Sequence, residues 1–144
     1  MNPKYILIHH SFTEDGKTVS WNAIRNYHVN VCKYKDIAYH YGIELVDGHY
    51  EIFKGRMDHE DGAHCIGFND KSIGICLIGN FDTTPPNEAQ LKLLKKLVNS
   101  LQEIYGIPTL NVIGHWESYE LRKVPVEKSC PGLKFSMSKF REIL

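Results

Sequence analysis

Three runs of almost uninterrupted apolar residues constrain this chain more than any other feature: "YILI" at 5–8, "SIGICLIG" at 72–79 and "TLNVIG" at 109–114. A strand with one wet face alternates apolar and polar residues, whereas these runs suit strands covered on both faces, as in sheets whose strands lie parallel beneath helices. The covering helices can be read between them. Ser20 can cap a helix with Trp21, Ile24, Tyr27 and Val31 on one side, ending near Cys32. Asn87 can cap a longer one reaching Tyr105, with Leu91, Leu94, Leu97, Val98, Leu101 and Ile104 on one face, stopped by Gly106 and Pro108. Asp47-Gly48 between Ala38–Val46 and His49–Lys54 marks a hairpin, because a two-residue turn needs positions that tolerate positive φ. Thr109–His115 reads as a further buried strand, and Ser136 opens a short last helix. The expectation is an α/β fold, one domain over residues 1–144, with a central mixed sheet flanked by helices.

Charge narrows the partners. Lys plus Arg and Asp plus Glu both number 17 of 144 residues, with no long run of either sign, so neither nucleic acid nor an anionic lipid surface is expected. No stretch is long and apolar enough to insert in a bilayer, and no basic segment followed by an apolar one opens the chain, so synthesis in the cytoplasm is expected. The cysteines Cys32, Cys65, Cys76 and Cys130 show no CxxC spacing, which favours reduced thiols or a metal ligand over a disulfide framework.

Two of the buried runs deliver histidine at their C-terminal ends, His9-His10 in "YILIHHS" and His115 in "LNVIGHWE", and open α/β sheets place ligand sites at such ends. Cys130 in "VEKSCPG" sits beside Pro131-Gly132, hence on a rigid turn. Two imidazoles and one thiolate would hold zinc with a fourth position open, the pattern of a catalytic site. The residues alone equally allow strand-end histidines with structural hydrogen bonds and a cysteine acting as a small buried hydrophobe.

Four blocks in order, "LIHHS", "DIAYHYGIELVDGHYEIFKGR", "GAHCIGFNDKSIGICLIGNF" and "IGHWESYELRKVPVEKSCPG", resemble the zinc-dependent N-acetylmuramoyl-L-alanine amidases, the family of phage amidase-type lysozymes and peptidoglycan recognition proteins. The resemblance implies a Zn2+ ion held by His9, His115 and Cys130 in a groove at strand ends. His10, which strand alternation turns to the opposite face, is then left to pack or hydrogen-bond. It implies Tyr39 and Lys128 as catalytic residues, and His64, Asn69 and Glu117 as candidates for the substrate groove, while Asn69 and Glu117 could equally secure a loop or support a metal ligand from behind. The implied activity is hydrolysis of the amide between N-acetylmuramic acid and L-alanine in peptidoglycan, by a monomer that waits in the cytoplasm as a phage or prophage endolysin until the membrane is permeabilised. The rival readings are a muropeptide-binding module without catalysis, whose members usually lack the cysteine, and a cytoplasmic muropeptide-recycling amidase, whose members tend to have Asp there.

Overall fold

The computed structural model describes residues 1–13 and 20–144. Its elements, in chain order, are β1 (Tyr5–His10), α1 (Trp21–Asn30), β2 (Tyr41–Val46), β3 (His49–Lys54), β4 (Ser72–Leu77), α2 (Glu88–Tyr105), β5 (Val112–Gly114), α3 (His115–Leu121) and α4 (Met137–Glu142). They form a five-stranded sheet in the order β3-β2-β4-β1-β5. β1 runs parallel to β4 and β5, β2 runs parallel to β4, and only β2 and β3 are antiparallel, so the sheet is mixed, as expected.

Strand alternation assigns a different job to each face. Ile6 and Ile8 of β1, Ile73, Ile75 and Leu77 of β4 and Val112 of β5 meet Leu94, Leu97, Val98 and Leu101 of α2 and Met137 and Phe140 of α4 in one apolar cluster. On the opposite face Leu7 and Ile113 pack with Cys65 and Phe68, while Trp21 of α1 lies over Ile37 and Cys76. Gly42 makes room for that indole, since a Cβ there would lie 2.3 Å from the Trp21 ring. Asp47 and Gly48 both take positive φ, 50° and 82°, as the hairpin turn requires.

The helix caps fall where the side chains predict. Ser20 accepts from Ala23 N–H, Asn87 from Ala89 N–H and Ser136 from Lys139 N–H, and Gly106 closes α2 in the left-handed conformation. The apolar stripes are used less fully. Tyr27 and Val31 of the α1 region face solvent, and His28 turns inward to accept the Ala38 N–H at 3.0 Å. In α2 the last turn is tied by Tyr105, whose hydroxyl donates to Asp58 at 2.7 Å, and Ile104 is left outside.

The largest departure concerns Thr109–His115. Thr109–Asn111 is a 3-10 turn, β5 is only Val112–Gly114, and His115 is the first residue of a helix and not the end of a strand. The Glu117 carboxylate accepts the Gly114 N–H at 2.7 Å and thereby starts α3 one residue after the strand stops.

Leu94 is fully buried, whereas Ile104 is 68% exposed on the same helix. Leu94→Ala should therefore destabilise by about 2–5 kcal/mol and Ile104→Ala by less than about 0.5 kcal/mol. Urea denaturation of the two variants checks this, and equal losses would show that α2 does not face the sheet as described.

Candidate metal centre and groove

The site grows out of the second face of the sheet. On β4 that face presents Ser72, Gly74 and Cys76, three small side chains paired in register with Tyr5, Leu7 and His9 of β1. The imidazole of His9 therefore leaves β1 toward a surface with room for rings. His10 points the other way, packs on Phe81 and accepts the Phe81 N–H at 3.1 Å through Nδ1. The adjacent histidines thus divide as alternation requires.

His115 enters from the first turn of α3, its ring stacked on Tyr119 one turn later at 5.7 Å and 14° and edge-on to His9 at 4.8 Å. Cys130 comes from the turn before α4. Its carbonyl accepts the Trp116 N–H at 2.9 Å, which ties this turn to the start of α3. Asp82 fixes the same turn by accepting from Ser129 Oγ at 3.0 Å and Leu133 N–H at 2.9 Å, and these bonds hold its carboxyl below the ordinary range. Gly114 admits the turn closely, because a Cβ there would meet Pro131 at 2.7 Å.

One donor atom from each of His9, His115 and Cys130 lies within 4.8 Å of the others. Cys130 Sγ is 3.6 Å from His9 Nδ1. Two ligands bound to zinc at about 2.0–2.1 Å (nitrogen) and about 2.3 Å (sulfur), near the tetrahedral angle, stand roughly 3.6 Å apart, so the donor set fits this ion in spacing and chemistry. Burial pushes the His9 imidazole well below its ordinary pKa and His115 down to about 4, leaving both neutral and able to ligate. Burial also pushes the Cys130 thiol up to about 12, against the Lys128 charge and the His10 backbone N–H that favour the thiolate. Without a metal this sulfur keeps its proton at neutral pH.

A cavity of about 560 Å3 opens over these donors, with Phe12, Tyr34, Tyr39, Asp82 and Lys128 among its walls. A second of about 680 Å3, which also has Asn69, Tyr119 and Arg122, shares His64, His115 and Lys128 with it. The two adjoin along these shared residues, so open space extends from the donor cluster past His115 toward Asn69 and Arg122. Tyr39 reaches it from the irregular segment before β2, with its ring 5.2 Å from His9, and burial raises its phenol far above the ordinary value. Lys128 is exposed at the groove edge, two residues before Cys130.

The remaining candidates land differently. Asn69 Oδ1 accepts the N–H groups of both His64 and Cys65, at 2.8 and 2.9 Å, and so shapes the loop that borders the groove. Glu117 lies outside both groove cavities. Besides starting α3 it makes a two-pronged ion pair with Arg141 at 2.8 and 2.9 Å, a combination no local pattern announces. His64 is buried, with its Nδ1 2.9 Å from His9 Nε2. His40, unassigned from sequence, donates to Glu60 O and accepts the Gly74 N–H, closing the pocket behind His64. All four cysteines are free thiols, and Cys65 Sγ donates to Ser118 Oγ at 3.2 Å.

Known proteins resemble this chain in sequence and fold. Peptidoglycan-recognition protein 2 of Holotrichia diomphalia is 36% identical over 105 residues, which cover 69% of this chain and 54% of that protein. The chain thus spans about half the length of that relative. The solved structure of an endolysin N-acetylmuramoyl-L-alanine amidase from Clostridium intestinale superposes with a TM-score of 0.79 at 27% identity, covering 98% of this chain and 82% of its own. Peptidoglycan recognition protein-LE, solved in complex with tracheal cytotoxin, a monomeric diaminopimelic acid-type peptidoglycan, gives 0.75 at 26% identity and covers 96% of this chain and 79% of its own. The family profile for N-acetylmuramoyl-L-alanine amidase matches residues 1–133, from ahead of β1 to beyond the Cys130 turn, and the chain belongs to that family.

Proposed function

We propose that residues 1–144 form one zinc-dependent amidase domain that hydrolyses the amide between the lactyl group of N-acetylmuramic acid and L-alanine, with His9, His115 and Cys130 holding the ion. The observation that supports this most is the convergence of two neutral imidazoles and one thiol, within 4.8 Å, at the floor of an open groove. When bound, zinc supplies Lewis-acid polarisation and activation of a nucleophile near neutral pH.

The chain's own residues supply the rest. Lys128 extends from the turn that carries Cys130, and its ammonium donates to the scissile carbonyl oxygen as negative charge develops there. Tyr39, kept as a neutral phenol by burial, orients the nucleophile by hydrogen bonding and passes a proton toward the departing alanine nitrogen. The groove on either side of the donors accepts the sugar and the stem peptide. Neither nucleic acid nor membrane enters this reading, and no described helix is long and apolar enough to cross a membrane.

The likeness to the clostridial endolysin supports an endolysin role, and the presence of Cys130 favours hydrolysis over the purely binding reading that the name of the Holotrichia diomphalia relative suggests. Mass spectrometry of purified peptidoglycan incubated with zinc-loaded protein decides between them. Stem peptides with free L-alanine N-termini are expected. New reducing sugars, or no products with intact binding, would overturn the assignment.

Two further outcomes are expected. Lys128→Ala should retain zinc and fold while losing roughly 10²–10³ in turnover on soluble muropeptide, as for removal of one donor to a developing oxyanion. Wild-type turnover would remove Lys128 from the mechanism. The second concerns protons. Because the imidazoles are already neutral and the Cys130 thiol is protonated up to about 12, zinc displaces the thiol proton at and below neutral pH, so affinity falls about tenfold per unit as pH drops from about 6 to about 5. Below the His115 value of about 4 the slope steepens, since protons then compete for imidazole too. Calorimetric titration in buffers of different ionisation enthalpy measures the released protons, and a count near zero at pH 7 would mean that Cys130 is not the anionic ligand.

A further inference from the structure

The hydrogen bonds behind His9 have a direction, and it can be read from the far end. Ser72 is fully buried, and its hydroxyl lies 2.6 Å from the Phe68 carbonyl, which can only accept. The single Ser72 proton goes there, so toward His64 Nε2, 3.4 Å away, Ser72 Oγ can only accept. His64 therefore carries its proton on Nε2 and offers a bare Nδ1. That atom is 2.9 Å from His9 Nε2, so His9 must donate from Nε2. His9 Nδ1 is then left bare, and it is this atom that faces Cys130 Sγ at 3.6 Å.

The His64 ring cannot turn away from this duty. A Cβ on Gly74 would lie 2.6 Å from it and a Cβ on Gly62 2.4 Å, so two glycines form a slot that the imidazole fills. His40 closes the slot edge-on at 5.8 Å, while Asn69 fixes the backbone at 64 and 65. Both ring nitrogens are engaged inside the protein, leaving neither for a substrate contact.

We propose that His64 is a positioning residue that locks His9 as an Nδ1 metal ligand, through a one-way chain of hydrogen bonds from His9 to His64, Ser72 and the Phe68 carbonyl. The inference rests on the zinc reading above and assigns His64 a place behind the metal instead of in the substrate wall. The chain ends on a neutral carbonyl and holds no carboxylate, so it orients His9 without adding negative charge to the donor set. Cys130 remains the one anionic donor.

The test uses the full chain. In the metal-free protein labelled with 15N, the proton between the rings should reside on His9 Nε2 and show scalar coupling across the hydrogen bond to His64 Nδ1. A proton on His64 Nδ1, or no coupling, overturns the chain even if zinc later binds. For affinity, His64→Leu should weaken zinc binding about 10- to 100-fold in a chelator competition, and His64→Asn, whose carbonyl replaces the Nδ1 acceptor, should recover most of it. Ser72→Ala, a smaller change in case the leucine variant does not fold, should cost roughly 2- to 10-fold. At saturating zinc the KM of His64→Asn for soluble muropeptide should stay at the wild-type value. A raised KM with unchanged zinc affinity would place His64 in the substrate wall and overturn the proposal. If wild type itself takes up no zinc while the coupling is present, the zinc reading fails and the hydrogen-bond chain stands.

Discussion

Three small residues on one face of one strand set the terms for the whole site. Had Ser72, Gly74 and Cys76 been as large as Ile73, Ile75 and Leu77 on the opposite face of β4, the sheet could only have been another apolar layer. Their size opens a trough in which His9, His40 and His64 bury their rings, and burial does the electrostatic work. Desolvation disfavours imidazolium, bringing His64 down to about 3 and His9 well below its ordinary value. A cluster of histidines packed this closely is tolerable only when neutral, and neutral is the state a metal requires. The cost of burying so many polar rings is offset on the α2 side, where, apart from the buried Gln90, the sheet meets aliphatic, aromatic and methionine side chains, each contributing about 1.5–3 kcal/mol when fully buried.

The third donor reaches the site by a different logic. Cys130 belongs to no strand or helix, and a free turn would leave its sulfur badly placed. The turn is instead fastened on both sides of the cysteine, by Ser129 and Leu133 to Asp82 and by the Cys130 carbonyl to α3. Gly132, with φ at 126°, lets the chain pass against Phe81, where a Cβ would lie 2.5 Å from its carbonyl carbon. Lys128 lies just before the first fastening and stays exposed. An anchored sulfur and an exposed ammonium on one turn suit the different tasks proposed for them, since a ligand would have to be held while a donor to developing charge would have to follow it.

What could be read from the sequence was what local periodicity or a local cap encodes. β1, the hairpin, β4 and α2 are specified by residues within a few positions of one another, and their limits fall within a few residues of expectation. α3 was hidden for a physical reason. Its apolar approach looks like strand, and the carboxylate of Glu117 that starts the helix is also held by Arg141, 24 residues further along the chain. Tyr27, Val31 and Ile104 show the converse, apolar residues at helical spacing that no neighbour covers. The candidate metal donors were legible as a motif, and a loop-securing role for Asn69 and Glu117 was one of two open readings, but the groups they hold and the partners of His64 were not legible, because sequence spacing does not reveal them.

The supports of the two imidazole donors differ in kind. His9 is held through its second nitrogen by a hydrogen-bond chain that fixes both ring orientation and proton position. His115 has no such bond among the described contacts, and its ring plane is set by stacking on Tyr119, itself under the Arg122 guanidinium at 4.8 Å. Stacking fixes a plane but not a tautomer. The protein therefore commits the proton of the histidine on its sheet and leaves that of the histidine on its helix to be decided by whatever binds in the groove. That asymmetry suits the proposed metal site, with one sealed side and one open side, since a sealed ligand could not be adjusted from solvent and would have to be correct before a metal arrived.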